Sequence, residues 1–215
     1  MIYCSVKLAL ADYNVFMSKQ KIGLFGGTFD PVHNAHIQIS LATINHLQLD
    51  EMWFLIDKEP LHKTPIASYS DRLNMLKLAS KNYTKLIVNK LEIQKTGTRY
   101  NIDVLKKFKL EYLDTDFWII LGMDVILNFK KWQNYQDFLP LTNFAIIHRP
   151  GSEITEFEKL VKELTDEGLK INYDFVDFET RDVSSSKVRN SKYLEQHQDL
   201  APDVANYIKD KKFYS

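Results

Sequence analysis

Short apolar runs alternate along the chain with longer stretches in which apolar residues recur every three or four positions. The short runs predict buried strands and the longer stretches predict helices, because strands and helices differ in their hydrophobic period. The predicted strands are Ile22–Phe25, Met52–Ile56, Leu86–Ile93, Phe117–Leu121, Phe144–Ile147 and Ile171–Phe178. The predicted helices are Ala35–Leu47, Ser70–Ser80 (capped by Ser70), Ile102–Leu113, Glu153–Glu167, Ser185–Glu195 and Pro202–Lys211.

Alternation of strands and helices is typical of an α/β protein. It predicts a Rossmann-like, doubly wound and mostly parallel sheet with helices on both faces. In such folds ligands bind beyond the C-terminal ends of the strands. The segments that follow predicted strands are therefore expected to line the binding site: Gly26–His36, Asp57–Lys63, Gly122–Asp124 and Arg149.

The composition is that of an ordinary globular protein. The chain has 215 residues and 45% hydrophobic residues, which suits one domain with a sizeable core. Lys+Arg and Asp+Glu both number 28, so the formal net charge is zero. Because non-specific binding to nucleic acid or to an acidic membrane needs a basic excess, neither is an expected partner.

The cysteine content and the length of the apolar runs indicate where in the cell the protein is expected. Cys4 is the one cysteine, so no intramolecular disulfide can form, which fits a reducing cytoplasm. The apolar runs are far shorter than a membrane span. Asp12 interrupts the N-terminal apolar run before it reaches the length of a signal-peptide core. Met17 opens the segment Met17–Lys21, which directly precedes the first convincing strand, so residues 1–16 are predicted to be an extension and residues 17–215 a single domain.

A glycine-rich segment follows the first predicted strand. Gly26 and Gly27 allow close approach of a ligand to the backbone, and the helix that follows offers N–H groups to an anion. His33 and His36 are three residues apart, so at a helix start they face the same way. Taken alone, the pair is more often incidental. Metal binding is less favoured, because no His-Glu-x-x-His motif and no cysteine pair supply further ligands.

A second segment, Asp182–Arg189, carries three consecutive serines where a helix begins. Their hydroxyl and N–H groups can cap that helix. Arg189 lies three positions after Ser186 and four after Ser185, so the three side chains share one face. This arrangement suits a phosphate, although an ordinary helix cap with a surface arginine has the same pattern.

Together the two segments, Gly-Gly-Thr-Phe-Asp-Pro-x-His-x-x-His and Ser-Ser-x-x-x-Arg, resemble the nucleotidyltransferase superfamily. The resemblance narrows to the bacterial nicotinate-nucleotide adenylyltransferases and covers about Lys19 to Tyr214. Further segments occur in the order of that family: Pro60–Lys63, Asp71–Leu76, Gly97–Asp103, Ile120–Asp124, Lys131-Trp132, His148–Gly151 and Ala201–Val204.

The resemblance implies an enzyme that transfers the adenylyl group of ATP to nicotinate mononucleotide, with Mg²⁺ accompanying ATP and no metal held by protein side chains. The implied site residues fall into three groups. Catalysis involves His33, His36 and Arg189. ATP binding involves Gly26, Gly27, Thr28, Phe29, Gly122, Asp124, Ser185 and Ser186. Acceptor binding involves Lys63, Tyr100, Asn101 and Trp132, whose indole would stack on the pyridine ring.

The sequence departs from the family pattern at three places. Ala35 replaces a glycine, which a helix start tolerates. Asp57 adds a negative charge near an expected phosphate site. Asn101 stands where the family has a threonine that helps to bind the nicotinate carboxylate, and its amide could serve a carboxylate or a carboxamide. Arg99, if it turned inward, would favour the carboxylate.

Alternatives stay open at this point. Nicotinamide mononucleotide or phosphopantetheine could be the acceptor in the same chemistry. A phosphohydrolase that uses His33 and His36 to bind a metal is a different class, as is a nucleotide-binding protein without catalysis. The sequence does not predict an oligomeric state.

Overall fold

A computed structural model of the chain describes residues 19–60, 64–93, 102–148, 154–179, 183–191 and 198–214. Within these ranges, six strands form one sheet whose neighbouring strands are all parallel. The strands are β1 (Gln20–Gly27), β2 (Glu51–Asp57), β3 (Leu86–Ile93), β4 (Thr115–Gly122), β5 (Asn143–His148) and β6 (Tyr173–Asp177). Their order across the sheet is β3-β2-β1-β4-β5-β6.

Helices connect the strands and follow the last one. In the described ranges they are α1 (Asn34–Leu47), α2 (Tyr69–Ser80), α3 (Ile102–Glu111), α4 (Met123–Ile126), α5 (Tyr135–Phe138), α6 (Thr155–Asp166), α7 (Ser185–Arg189) and α8 (Pro202–Lys211). A turn of 3₁₀ helix spans Phe129–Lys131. The predicted α/β class is confirmed, and the described sheet is fully parallel.

The strand order reverses direction between β1 and β4. The chain builds outward from β1 to β2 and β3, then returns to the other side of β1 to build β4, β5 and β6. Phe25 of β1 lies beside Ile120 of β4, so both strands end at the same level, at Gly27 and Gly122. Such a reversal opens a crevice at the carboxyl ends of the two strands, where α/β folds bind ligands.

Both faces of the sheet are buried, as the prediction of helices on both faces requires. Because parallel strands covered on two sides need apolar residues at successive positions, the inner strands β2, β4 and β5 carry continuous apolar runs. One apolar layer packs the sheet against α3, α5 and α6 and includes Leu24, Ile119, Leu105, Phe138 and Phe157. The other packs it against α1, α2 and α8 and includes Phe54, Ile120, Ile44, Met75 and Val204.

Several helix boundaries differ from those predicted from the sequence, and local contacts explain the differences in α2 and α7. The N-cap of α2 is Ser68 rather than Ser70: the Oγ of Ser68 accepts a hydrogen bond of 3.2 Å from the backbone N–H of Asp71. The helix predicted over Ser185–Glu195 ends at Arg189, where Asn190 is the C-cap. There the N–H of Ser191 bonds to the carbonyl of Val188, a tightened turn that closes the helix.

Several predictions concern parts of the chain that the structure does not describe. Residues 1–16, Lys63, Arg99, Tyr100, Asn101 and Arg149 all lie outside the described residues. The proposed N-terminal extension therefore stays a prediction. None of the helices in the described ranges has the length and apolar character needed to cross a lipid bilayer.

Candidate active site

The turn after β1 is built around a glycine and a phenylalanine. Phe29 adopts a left-handed backbone conformation, with φ at 50°, and its ring is buried. A Cβ atom on Gly27 would lie 2.8 Å from that ring, which is closer than real contacts allow. Glycine at position 27 therefore lets the ring of Phe29 fold back over the end of β1, beside Thr28, which is also buried.

The two histidines open helix α1. His33 is the N-cap residue, and its backbone N–H donates a hydrogen bond of 3.2 Å to Nδ1 of His36. The two imidazole rings lie against each other, with centroids 3.7 Å apart and planes inclined by 33°, and the ring of Phe29 packs edge-on against His36 at 5.0 Å. The predicted pairing of the histidines is present in the structure.

The backbone contact selects the tautomer of His36. Because Nδ1 accepts a hydrogen bond, the proton of the neutral ring resides on Nε2. His36 can thus donate from Nε2 to an anionic oxygen while its other nitrogen holds the start of α1. His33 is 6% exposed and His36 is half-buried, so both rings lie at the edge of the core.

The serine–arginine segment packs directly against the glycine-rich turn. The hydroxyl of Ser185 donates to the carbonyl of Pro31 at 2.9 Å, and Nη1 of Arg189 donates to the carbonyl of Asp30. Nη2 of Arg189 donates to Oγ of Ser186 at 3.1 Å. The glycine-rich turn and the serine–arginine segment therefore meet, although they are more than 150 residues apart in the sequence.

The N-terminus of α7 is capped by the first serine of the three. The Oγ of Ser184 accepts a hydrogen bond of 3.2 Å from the backbone N–H of Lys187. This cap leaves Ser185 and Ser186 to make other contacts, and in the structure both belong to the network around Arg189 and the 30–31 carbonyls.

Asp30 is a functional candidate that the sequence reasoning quoted within a motif but gave no role. Its carboxylate is buried and accepts hydrogen bonds from the backbone N–H groups of Ile66 (2.9 Å) and Ala67 (3.1 Å). The hydroxyl of Tyr214 donates to it at 2.6 Å. The guanidinium of Arg189 lies 3.9 Å away. No local pattern reveals this role, because every partner is remote in the sequence.

Arg72 is a second residue that the sequence reasoning missed. Its guanidinium is 1% exposed and donates to the carbonyls of Thr28 (2.8 Å), Asp57 (2.7 Å) and Lys58 (3.0 Å). Burial lowers the pKa of Arg72, and the nearby carboxylates of Asp30 and Asp57 oppose that lowering. The extra negative charge of Asp57 thus stabilises the buried arginine that ties the β1 turn to the loop after β2.

The end of β4 lies beside the end of β1 and carries two further predicted residues. Gly122 is the N-cap of α4, and a Cβ atom there would lie 2.6 Å from a carboxylate oxygen of Asp124. Asp124 itself is exposed in the first turn of α4. The structure therefore places these two residues on the neighbouring strand end, across the crevice from the histidine-bearing turn.

Trp132 lies farther along, after the 3₁₀ turn. Its indole is half-buried and packs edge-on against Phe129 (5.2 Å) and Phe138 (5.4 Å). This aromatic packing fixes the indole against the core. Stacking on a pyridine ring stays a prediction, and the other acceptor residues, Lys63, Tyr100 and Asn101, lie outside the described residues.

Across the described ranges, no group of three or more acidic, histidine or cysteine side chains could hold a metal ion. The carboxylate of Asp30 already accepts three hydrogen bonds. The chemistry that this arrangement favours is the binding of a polyphosphate by imidazole, hydroxyl, backbone N–H and guanidinium donors.

Comparison with known proteins first defines the class. Residues 24–191 match the model of the cytidylyltransferase-like family, and the chain belongs to that family. Within this class, the relatives of the chain include probable nicotinate-nucleotide adenylyltransferases. A probable nicotinate-nucleotide adenylyltransferase of Clostridium acetobutylicum is 34% identical over 205 residues, covering 91% of this chain and 99% of that protein. One of Legionella pneumophila (strain Lens) is 34% identical over 209 residues, covering 90% and 98%.

A solved structure supports the same fold. Nicotinic acid mononucleotide adenylyltransferase of Plasmodium falciparum, complexed with NaAD, superposes with a TM-score of 0.72. The alignment covers 91% of this chain and 97% of that one at 22% identity. The family resemblance inferred from the ordered motifs is confirmed by the family match and the relatives.

Proposed function

We propose that the chain transfers the adenylyl group of ATP to nicotinate mononucleotide, giving nicotinate adenine dinucleotide and pyrophosphate, a late step of NAD biosynthesis. The observation that carries this proposal is the direct bonding of Ser185 and Arg189 to the turn that leads into His33. This bonding brings the hydrogen-bond donors of both motifs to the carboxyl end of β1. The relatives at 34% identity support the choice of substrates.

The reaction is an in-line displacement at phosphorus. An oxygen of the acceptor's 5′-phosphate forms a bond to the α-phosphorus of ATP, and the bond between that phosphorus and the bridging oxygen to the β-phosphate breaks. Pyrophosphate leaves with the bonding electrons. No protein nucleophile is required, because a phosphate monoester is already a nucleophile near neutral pH. Catalysis then consists of positioning and charge stabilisation.

The residues of the turn and of α7 supply that stabilisation. His36 donates from Nε2 to a phosphate oxygen on which charge develops, and His33 donates beside it. Arg189 holds the triphosphate tail: a guanidinium has five N–H donors, and the contacts to Asp30 and Ser186 engage two of its nitrogens. Ser185 and Ser186 bind the same tail.

The remaining assignments follow the family pattern. The backbone of Gly26, Gly27, Thr28 and Phe29 contacts both nucleotides, and Gly122 and Asp124 contact a ribose. Lys63 attracts phosphate, while Tyr100, Asn101 and Trp132 bind the nicotinate moiety. All of these residues belong to the proposed single domain over residues 17–215, within which the family match spans residues 24–191.

Mg²⁺ enters as part of the substrate, bound to the phosphates of ATP, where it neutralises charge. The donor set of the turn fits this arrangement, because it is cationic or neutral and the nearby Asp30 is buried and engaged. We place the reaction in the cytoplasm, a location that the single cysteine and the use of ATP support.

The test is pyrophosphate release by the full chain with Mg²⁺-ATP and one of three acceptors: nicotinate mononucleotide, nicotinamide mononucleotide or phosphopantetheine. We expect a rate at least tenfold higher with nicotinate mononucleotide. A comparable rate with the amide would retain adenylyl transfer but overturn the acceptor assignment. Absence of release with all three acceptors would overturn the proposed function. In that case a metal analysis of the protein would test for a metal-dependent phosphohydrolase.

A further inference from the structure

The residues after α8 bring a tyrosine back to the catalytic turn. Helix α8 ends at Lys211, and Lys212 adopts a left-handed conformation with φ at 55°. The N–H of Phe213 then bonds to the carbonyl of Ile208, which turns the chain toward the sheet. As a result the hydroxyl of Tyr214 reaches Oδ1 of Asp30 at 2.6 Å, across 184 positions of sequence.

Asp30 connects Tyr214 to three parts of the site. Its carboxylate binds the backbone N–H groups of Ile66 and Ala67, in the loop that precedes α2. Its backbone carbonyl accepts the hydrogen bond from Arg189. Three residues farther along the chain is His33, the N-cap of α1. A change in the orientation of Asp30 would therefore move donors in both motifs at once.

The hydroxyl of Tyr214 remains a donor over the working range of pH. Burial raises the pKa of Tyr214, and the neighbouring Asp30 carboxylate raises it further. The phenol therefore stays protonated and keeps its hydrogen bond to the carboxylate under conditions where exposed tyrosines begin to ionise. A permanently protonated donor suits a fixed structural contact rather than a proton-transfer step.

We propose that Tyr214 is a positioning residue for adenylyl transfer. Its hydroxyl holds Asp30 in place. Through Asp30 it also positions the turn that leads to His33 and the Asp30 carbonyl that accepts a hydrogen bond from Arg189. The proposal rests on the proposed function of that site. Catalysis by positioning is sensitive to small displacements, so loss of one hydroxyl is expected to affect turnover more than substrate binding.

The chain supplies a matched control in Tyr207. Its hydroxyl also donates to an aspartate, Asp71, at 2.8 Å, and accepts a hydrogen bond from the side-chain amide of Asn74. Both tyrosines are part-buried in the C-terminal segment, but the contacts of Tyr207 lie on helix α2 and not in the catalytic turn. Removing either hydroxyl deletes one tyrosine–aspartate hydrogen bond, but only removal of the Tyr214 hydroxyl affects Asp30.

The test compares Tyr214→Phe and Tyr207→Phe with the unmodified protein, using kcat and KM for ATP from pyrophosphate release. We expect Tyr214→Phe to lower kcat about fivefold to tenfold, as the net value of one hydrogen bond implies, with KM changed less than about twofold. Tyr207→Phe should keep kcat within about twofold. Equal losses of kcat in both variants, or none in Tyr214→Phe, would overturn the proposal.

Amide hydrogen exchange tests the contact between Tyr214 and Asp30 independently of catalytic activity. In Tyr214→Phe the amides of Ile66 and Ala67, which bind the Asp30 carboxylate, should exchange about threefold or more faster, while Tyr207→Phe leaves them unchanged. Unchanged exchange in Tyr214→Phe would refute the link between Tyr214 and Asp30 even if turnover fell. If the unmodified protein released no pyrophosphate, the proposed function would fail, while exchange would still decide whether Tyr214 holds Asp30.

Discussion

The histidine pair combines a helix-capping contact with the proposed binding of phosphate. His36 occupies the third position of α1 and accepts the N–H of His33, the contact that a glutamate or glutamine makes in a common helix-capping motif. The three-residue spacing that makes this cap is therefore also the spacing of the proposed phosphate-binding pair. The cap determines which nitrogen of His36 carries the proton.

His36→Ala is expected to lower turnover about 100-fold to 1000-fold, because removing one donor to developing charge has that effect in other enzymes. The dissociation constant for ATP should rise much less, since the other phosphate donors remain. Single-turnover pyrophosphate release and an ATP titration measure the two quantities. His46→Ala is the control, because His46 lies in the last turn of the same helix and pairs with Asp174 on the surface. Unchanged turnover in His36→Ala would exclude His36 from the mechanism.

At the residue scale the sequence predicted the donors but not the residues that hold them. His33, His36, Ser185 and Arg189 carry recognisable spacing within short segments. Asp30, Arg72 and Tyr214 act through partners that no local pattern connects to them. Asp30 and Ile66 are 36 positions apart, and Asp30 and Tyr214 are 184 apart. Their roles depend on where the fold places the segments.

At the scale of elements, the glycines at the ends of secondary structure have different roles. Gly27 terminates β1 under the ring of Phe29, so its lack of a side chain makes room. Gly168 follows α6 with φ at 74° and nothing near its Cβ position, so its role is conformational. Leu169 and Gly168 there donate to the carbonyls of Leu164 and Thr165, the pattern of a Schellman motif.

Gly27→Ala is expected to lower turnover about tenfold or more, because the new methyl group displaces Phe29, whose ring packs on His36. Gly168→Ala should instead cost about 1 kcal/mol of unfolding free energy through the left-handed backbone and leave turnover unchanged. Urea unfolding and pyrophosphate release measure both effects. A Gly27→Ala enzyme as active as Gly168→Ala would show that the position of Phe29 is unimportant.

The helices with clear periodicity were predicted, and the two four-residue helices were not. Helices α4 and α5 have four residues each, too few for a hydrophobic period to appear. The N-cap of α2 had a signal that was overlooked: Ser68 and Asp71 form the Ser-x-x-acid spacing of a capping motif. The end of α7 is fixed by Asn190, a residue whose short polar side chain favours helix ends.

For the whole molecule, the strand order brings the site together. The reversal between β1 and β4 places Gly27 and Gly122 side by side, and the return of the chain after α8 brings Tyr214 to the same end of the sheet. Arg72 and Asp30 then connect the loops after β1 and β2 from within the core. The site is therefore continuous with the core. The stability of the folded protein then depends on the protonation of buried groups in the site.

Alkaline unfolding should report the buried tyrosine. The pKa of Tyr214 is raised in the folded protein, so its contribution to stability is complete below the ordinary tyrosine pKa of about 10 and is lost as the pH rises above that value. The unmodified protein should therefore lose unfolding free energy faster than Tyr214→Phe above pH about 10, by up to about 1.4 kcal/mol per pH unit. Urea unfolding at several pH values measures this. A stability difference that stays constant up to pH about 11 would contradict the prediction.

The sequence by itself determined the fold class, because hydrophobic period is a local property, and its short-range spacing predicted a site at the strand ends with the proposed phosphate donors. It also carried enough ordered motifs to indicate the family. Only the tertiary structure decided that Ser185 and Arg189 bond to the Asp30–Pro31 carbonyls, and that Arg72 and Tyr214 hold the loops around them. These contacts join residues that are far apart in the chain, and their geometry exists only after the sheet and both apolar layers have formed.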